Sequence, residues 1–173
     1  GGLGADSIDG GGGFDVADYA SATEAVSIDL GSGPVSGTAG EAAGDILVNI
    51  EKLIGSAYND SFAGSSGDDT FDGRFGDDLL TGRAGSDRYL FGYDSGSDTI
   101  IENGSSADLD QIILASGIRP ADISVIRDGD NLLIELEHDD GLLIDTALIT
   151  GHFLGRETGI EEIVFADGTV WDR

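Results

Sequence analysis

Asp60, Asp69, Asp78 and Asp87 recur at a strict spacing of nine residues. Each closes a loop opened by glycine: Gly55–Asp60, Gly64–Asp69, Gly73–Asp78 and Gly82–Asp87. Two residues beyond each Asp stands an apolar side chain: Phe62, Phe71, Leu80 and Tyr89. Carboxylates delivered at fixed intervals by tight loops suit a hard cation, which takes about six to eight oxygens at roughly 2.3–2.6 Å. Two nine-residue units make one coil, so loops two units apart stack on the same edge. Asp60 then lies over Asp78, and Asp69 over Asp87. The stacked carboxylates supply part of a coordination shell. Backbone carbonyls must supply the rest, and they turn inward only where the loop visits unusual φ/ψ, which glycine permits. Gly64, Gly67, Gly73, Gly76, Gly82 and Gly85 hold the first and fourth loop positions accordingly.

The elements that position these loops follow from the same period. A loop plus a three-residue strand is half a coil of a parallel β-roll, and the register GGxGxDxUx is that of a calcium-binding solenoid repeat. The predicted fold is all-β: a parallel β-roll with a C-terminal antiparallel β cap. An acidic, Gly-rich flexible linker has no reason to keep apolar residues in phase. Two earlier loops, Gly1–Asp6 and Gly10–Asp15, match the full GGxGxD form and add Asp6, Gly11, Gly13 and Asp15 to the candidate ligands. The period then breaks. Residues 19–54 insert a strand-like Ala25–Leu30, a Gly/Ser/Ala-rich loop through about Gly44, and a second strand-like run, Ile46–Ile54. Their alternation suits half-buried strands.

Residues 1–102 resemble an RTX (repeats-in-toxin) block. GGGGFDVADYA, AVSIDL and ILVNIEKLIGSAYND are similar to the segment leading into the β-roll of serralysin-type secreted proteases, and to the blocks of adenylate cyclase toxins. The resemblance implies that the Asp15 loop shares calcium with the strand at Asn49-Ile50-Glu51. Glu51 would be a carboxylate ligand and Asn49 a carbonyl donor; an exposed strand carboxylate is the other reading of Glu51. Arg88–Ile101 resembles the terminal unit YxFGxGxGxDTI. Asp94 stands where that pattern has Gly, and Asp98 is displaced from the nine-residue register, yet it is expected as a ligand stacked over the Asp78 loop.

Residues 106–173 carry no repeat and resemble the haemolysin-type calcium-binding related domain that follows such repeats. A hairpin is predicted over Ser124–Glu137, turning at Asp128-Gly129, an Asp-Gly cue between alternating runs. A strand near Leu142–Asp145 and a second hairpin over Ile160–Trp171, turning at Asp167-Gly168, complete it. Thr146–Gly155 is longer than the family's corresponding segment. The physical role of this region is to cover the roll's open end, since exposed strand edges must be paired or capped. The expected division is 1–105 for the roll and 106–173 for the cap. Trp171 is read as core packing rather than a sugar platform.

Composition narrows the function. The formal net charge of −26, from Asp+Glu 34 against Lys+Arg 8, argues against nucleic acid and anionic membranes as partners. Asp outnumbers Glu by 25 to 9, which suits short-armed ligands in tight loops. Such charge with 29 Gly favours disorder while the sites are empty, but 39% hydrophobic content is too much for a permanent coil. There is no Cys, and no apolar run approaches the ~18 residues of a transmembrane helix. The chain has no signal peptide and starts in mid-repeat, so it reads as a fragment of something larger. His138 and His152 lack zinc-site spacing. Asp139-Asp140 and Glu161-Glu162 read as solvated surface, and no nucleophile elbow is present.

These readings converge on a non-enzymatic module that takes roughly four to eight calcium ions, with sites at about 10⁻⁴–10⁻³ M. The resemblance implies a monomeric part of a secreted, extracellular Gram-negative protein. Its partners would be the type I secretion machinery and its own upstream sequence. The alternative is a calcium-dependent carbohydrate- or surface-binding module of an extracellular enzyme or adhesin.

Overall fold

The computed structural model describes residues 2–31, 37–105, 107–138, 141, 144–155 and 158–173. Asp139-Asp140, Leu142, Leu143 and part of the Gly/Ser/Ala-rich loop, residues 32–36, lie outside the described residues. The strands are β1 (Ser7–Asp9), β2 (Val16–Asp18), β3 (Ser27–Asp29), β4 (Gly37–Ala39), β5 (Ile46–Val48), β6 (Lys52–Ile54), β7 (Ser61–Ala63), β8 (Thr70–Asp72), β9 (Leu79–Thr81), β10 (Arg88–Phe91), β11 (Ser97–Ile101), β12 (Gln111–Leu114), β13 (Ile123–Asp128), β14 (Asn131–Glu137), β15 (Ile144–Thr150), β16 (Glu162–Val164) and β17 (Val170–Asp172). One short 3-10 turn, Gly40–Ala42, is the helical element among the described residues.

From β6 to β13 successive strands alternate between two sheets. One has the order β17-β16-β12-β10-β8-β6-β2, the other β13-β14-β15-β11-β9-β7-β3-β4. Neighbours along the roll are parallel, with Leu53 beside Phe71 and Phe71 beside Tyr89 on one face. On the other face Phe62 lies beside Leu80 and Leu80 beside Ile100. This is the β-roll expected from the repeat. A three-residue strand points one side chain inward, so each coil contributes one large apolar residue from each face. Phe62, Phe71, Leu80 and Tyr89 are essentially fully buried, and the Phe71 and Tyr89 rings stack at 5.4 Å.

The insert continues the roll. β3 pairs parallel with β7, and β6 fills the sheet between β2 and β8. Ile46–Ile54, expected as one strand-like run, is two strands broken at Asn49, whose φ of +53° turns the chain. β5 pairs with β1 apart from the main sheets.

Both sheets run on into the C-terminal residues. β12 and β16 extend the first ladder, and β15 lies parallel to β11 on the second. Antiparallel strands then end each sheet: β14 and β13 on one, β17 on the other. The first hairpin turns at Gly129-Asp130, one residue later than the sequence suggested, because Asp128 still pairs with Asn131 and Gly129 takes φ +63°. The long segment Thr146–Gly155 is explained by β15, which is flanked on both sides and runs to Thr150. Phe165 is in the core. Trp171 packs edge-on against it but stays 36% exposed on the terminal strand, so the core role expected of it passes to Phe165.

Candidate metal centre

Strand register stacks the acids into ladders. On one edge Asp60, Asp78 and Asp98 are neighbours. On the other, Asp15, Glu51, Asp69, Asp87, Asp110 and Glu161 follow in turn. All but the Glu51–Asp69 step are tied by a backbone amide that donates to the next carboxylate. The N–H of Asp60 donates to Asp78 Oδ1 at 2.7 Å, that of Asp69 to Asp87 Oδ1 at 2.7 Å, and that of Asp78 to Asp98 Oδ1 at 3.0 Å. The series continues from Asp87 N–H to Asp110 Oδ1 (2.9 Å), from Asp110 N–H to Glu161 Oε2 (3.0 Å), and from Asp15 N–H to Glu51 Oε2 (2.8 Å). Apart from the main sheets, Asp6 N–H donates to Asp45 Oδ1 at 2.9 Å. At Asp78 and Asp87 one carboxylate oxygen thus serves the backbone and the other has no partner among the described residues, whereas both oxygens of Asp60 accept hydrogen bonds, from Val26 and Ser56.

The leading glycines make room for that second oxygen. A Cβ on Gly64 would lie 2.6 Å from both Asp69 Oδ2 and the Gly82 carbonyl, and a Cβ on Gly55 or Gly73 would also run into the Asp that closes its loop. The fourth-position glycines Gly76 and Gly85 take φ of +117° and +112°, which side chains rarely adopt. Gly67 borders open space and accepts neither constraint, while Gly11 and Gly13 have positive φ in the Gly10–Asp15 loop. Gly10 presses against the Asn49 carbonyl and Asp15, so the Asp15 loop and Asn49-Ile50-Glu51 do come together. The Asn49 side-chain amide is committed to Asp9 Oδ1 at 2.8 Å, leaving its carbonyl as the group that faces the loop. Asp94, at φ +65°, adopts the turn that the pattern gives to Gly, and its N–H donates to Asp145 Oδ2.

Asp6 Oδ2, Asp15 Oδ2, Asp78 Oδ2, Asp87 Oδ2 and Glu102 Oε2 are buried without a hydrogen-bond partner among the described residues. Buried carboxylate oxygens ordinarily find a partner or a cation. Oxygen-only donors with pressed-in carbonyls suit calcium. Without an ion, burial pushes the carboxyls up: Asp78 and Asp87 to about 7, Asp98 to about 8 and Asp110 to about 6, with neighbouring carboxylates adding to the rise. Asp69 and Glu161 move the same way for the same first cause. Each folded-state value lies above that of the unfolded chain. The contribution to stability is therefore fully present below the unfolded value, near pH ~4, and is lost as pH rises through the folded values. Calcium-stripped chain should accordingly gain β structure between pH 8 and pH 5. Circular dichroism across that range checks it, and a loss of β signal on acidification would contradict it.

Sequence spacing missed Asp45, Asp110, Asp145 and Glu161, which have ladder or capping roles, and Glu102, which accepts from the Tyr89 hydroxyl. Glu161 is a ladder rung rather than solvated surface, while Glu162 accepts from the Gln111 side chain at 2.7 Å. Asp145 caps the N–H groups of Asp94 and Gly96 and contacts His138 Nε2 at 2.6 Å. His152 is buried, with Nδ1 accepting the Ile160 N–H, and burial holds it down to about 4. Neither histidine joins an acidic group set that could hold a metal among the described residues. A signal did exist: most of the missed acids precede an inward apolar residue by two, as in Asp45–Leu47, Asp110–Ile112 and Glu161–Ile163.

Residues 1–17 and 54–89 match the family profile of the RTX calcium-binding nonapeptide repeat, and residues 131–173 match that of the haemolysin-type calcium binding protein related domain. No curated protein matches the chain. RTX repeats bind calcium, form a structural rather than a catalytic family, and are typical of secreted bacterial proteins. No helix among the described residues is long and apolar enough to cross a membrane. Asp6, Asp15, Asp60, Asp69, Asp78 and Asp87 fall within the repeat matches, so the chain carries calcium-binding repeats of RTX type and ends in a segment matching the haemolysin-type calcium binding protein related domain.

Proposed function

We propose that this chain is the folding switch of a secreted bacterial protein: open in a low-calcium cytosol, and folded outside the cell, where it supports type I secretion and maturation of its parent. The observation that carries the reading is the set of buried, unpartnered carboxylate oxygens at Asp6, Asp15, Asp78, Asp87 and Glu102. When bound, calcium supplies the positive charge that lets these carboxylates stack without protons. Asp60, Asp69 and Asp98 complete the proposed carboxylate set in the repeats, with Glu51 and the Asn49 carbonyl serving the Asp15 loop. The loop carbonyls, turned by the glycines, supply neutral oxygens for roughly four to eight ions.

The chain's own residues explain the switch. Ladder carboxylates in a chain of net charge −26 repel one another when ionised. Three-residue strands bury one side chain each, too little to offset backbone ordering of about 1–2 kcal/mol per residue. Folding therefore draws on binding energy by mass action, with residues 106–173 proposed as the cap that covers the end of the roll. The carbohydrate- or surface-binding alternative has one observation behind it. Phe75 and Tyr93 are both partly exposed and flank a cavity of about 350 Å³. The other exposed aromatics, Phe14, Tyr58 and Trp171, do not line it.

Limited proteolysis tests the switch. The chain should resist a low dose of protease in calcium but be digested in equal magnesium, which prefers octahedral geometry with retained water. Equal protection by both ions, or by neither, would count against it.

A further inference from the structure

Glu102 and Asp110 lie between the repeat match ending at residue 89 and the C-terminal match beginning at residue 131, outside both. They nonetheless occupy the next level of the roll. Register places Gly64, Gly82 and Glu102 one above another, each directly after its strand. At the lower level the cradle at Gly64 is bounded by Asp69 Oδ2 and the Gly82 carbonyl. One level up, at Gly82, it is bounded by Asp87 Oδ2, Glu102 Oε1 and the Tyr89 hydroxyl. A carboxylate thus stands where the repeats below present a glycine carbonyl.

The three acids Asp87, Glu102 and Asp110 are buried, at 0%, 1% and 4% exposure. Each offers an oxygen within 4.8 Å of the others. Asp87 Oδ2 and Glu102 Oε2 have no hydrogen-bond partner among the described residues. The Tyr89 hydroxyl donates to Glu102 Oε1, which fixes the carboxylate beside Asp87 Oδ2, and Oε2 is left without a hydrogen-bond partner among the described residues.

We propose that Asp87, Glu102 and Asp110 form a further calcium site, at the seam between the last nonapeptide loop and the C-terminal strands. The donor set is all oxygen and water-poor, which favours calcium over magnesium. Three converging carboxylates give it more charge than a repeat site that relies on carbonyls, and ligand charge is one determinant of affinity. The site also reaches the end of the chain. The Asp110 N–H donates to Glu161 Oε2, and the Asp110 carbonyl accepts from the N–H groups of Glu161 and Glu162 at 2.9 and 3.2 Å. Occupation of the seam would therefore fix β16 and its hairpin against the roll. This inference rests on the calcium reading of Asp87.

The test uses the full chain with Glu102→Gln, which keeps an acceptor for Tyr89 but removes the charge. Calorimetric calcium titration should show one ion fewer than the wild type, and the folding midpoint should rise by roughly tenfold. Unchanged stoichiometry and midpoint in a folded variant overturn the seam site. Should the variant fail to fold, anomalous diffraction from wild-type crystals grown in calcium decides. A calcium peak among the three carboxylates supports the proposal. Filled repeat sites with an empty seam overturn it while leaving the calcium reading intact. No calcium at any level overturns both.

Discussion

Asp78→Ala should raise the calcium concentration needed for folding by roughly tenfold or more, whereas Asp68→Ala should shift it by less than about twofold. Asp78 is held on both sides of its rung. Its Oδ1 accepts the Asp60 N–H, its own N–H donates to Asp98 Oδ1, and its Oδ2 is buried without a partner. Truncation strands the buried Asp60 amide, a cost of about 1–3 kcal/mol. It also removes the buried, unpartnered Oδ2 available to an ion. Asp68 is one residue away from a rung but exposed, and its Oδ1 accepts only the Ser86 N–H at the surface. Calcium midpoints from far-UV circular dichroism compare the two. Equal shifts would mean that the stacking register does not govern binding.

Cutting the chain after Glu102 should abolish the cooperative calcium transition or push it well above the roughly millimolar range of extracellular modules. The cut leaves the repeat acids in place but removes β12 and β15, which pair with β10 and β11, and β16, which pairs with β12. Ile112, Leu114, Ile134, Leu136, Ile149 and Phe165 leave the shared core, exposing Tyr89, Phe91 and Ile100. Fully burying side chains of this size is worth about 1.5–3 kcal/mol each. Asp87 also loses the Asp110 carboxylate that accepts its N–H. Calcium titration of the shortened chain by circular dichroism gives the answer. A transition with unchanged midpoint and steepness would make residues 106–173 an independent unit rather than a cap.

The four in-phase Asp residues were legible because loop and strand lengths repeat together, so spacing in sequence equals stacking in space. Asp98 survived a two-residue longer loop because its strand still aligns Thr99 with Leu79. Asp110 and Glu161 were not legible. They reach the same ladder across separations of 23 and 51 residues. Only the short pattern of an acid two before an inward apolar residue marks them, and alone it is too common to be specific. Glu102 carries no local mark at all. Its position follows from the register of Ile101 against Thr81, which exists only once the sheet is formed. The hairpins were legible to within a residue, because turn chemistry is local. Trp171 was misplaced because size signals burial, whereas a terminal strand leaves one side of its residues to solvent.

Far-UV circular dichroism of the full chain, followed from excess chelator through a calcium titration at pH 8, bears most directly on the central claim. At that pH Asp78, Asp87 and Asp110 are mostly ionised even in the fold and Asp98 about half, so protons stand in for the ion only weakly. The account predicts a largely disordered spectrum in chelator and a cooperative conversion to β structure at roughly millimolar calcium. A β spectrum that persists unchanged in excess chelator would contradict it.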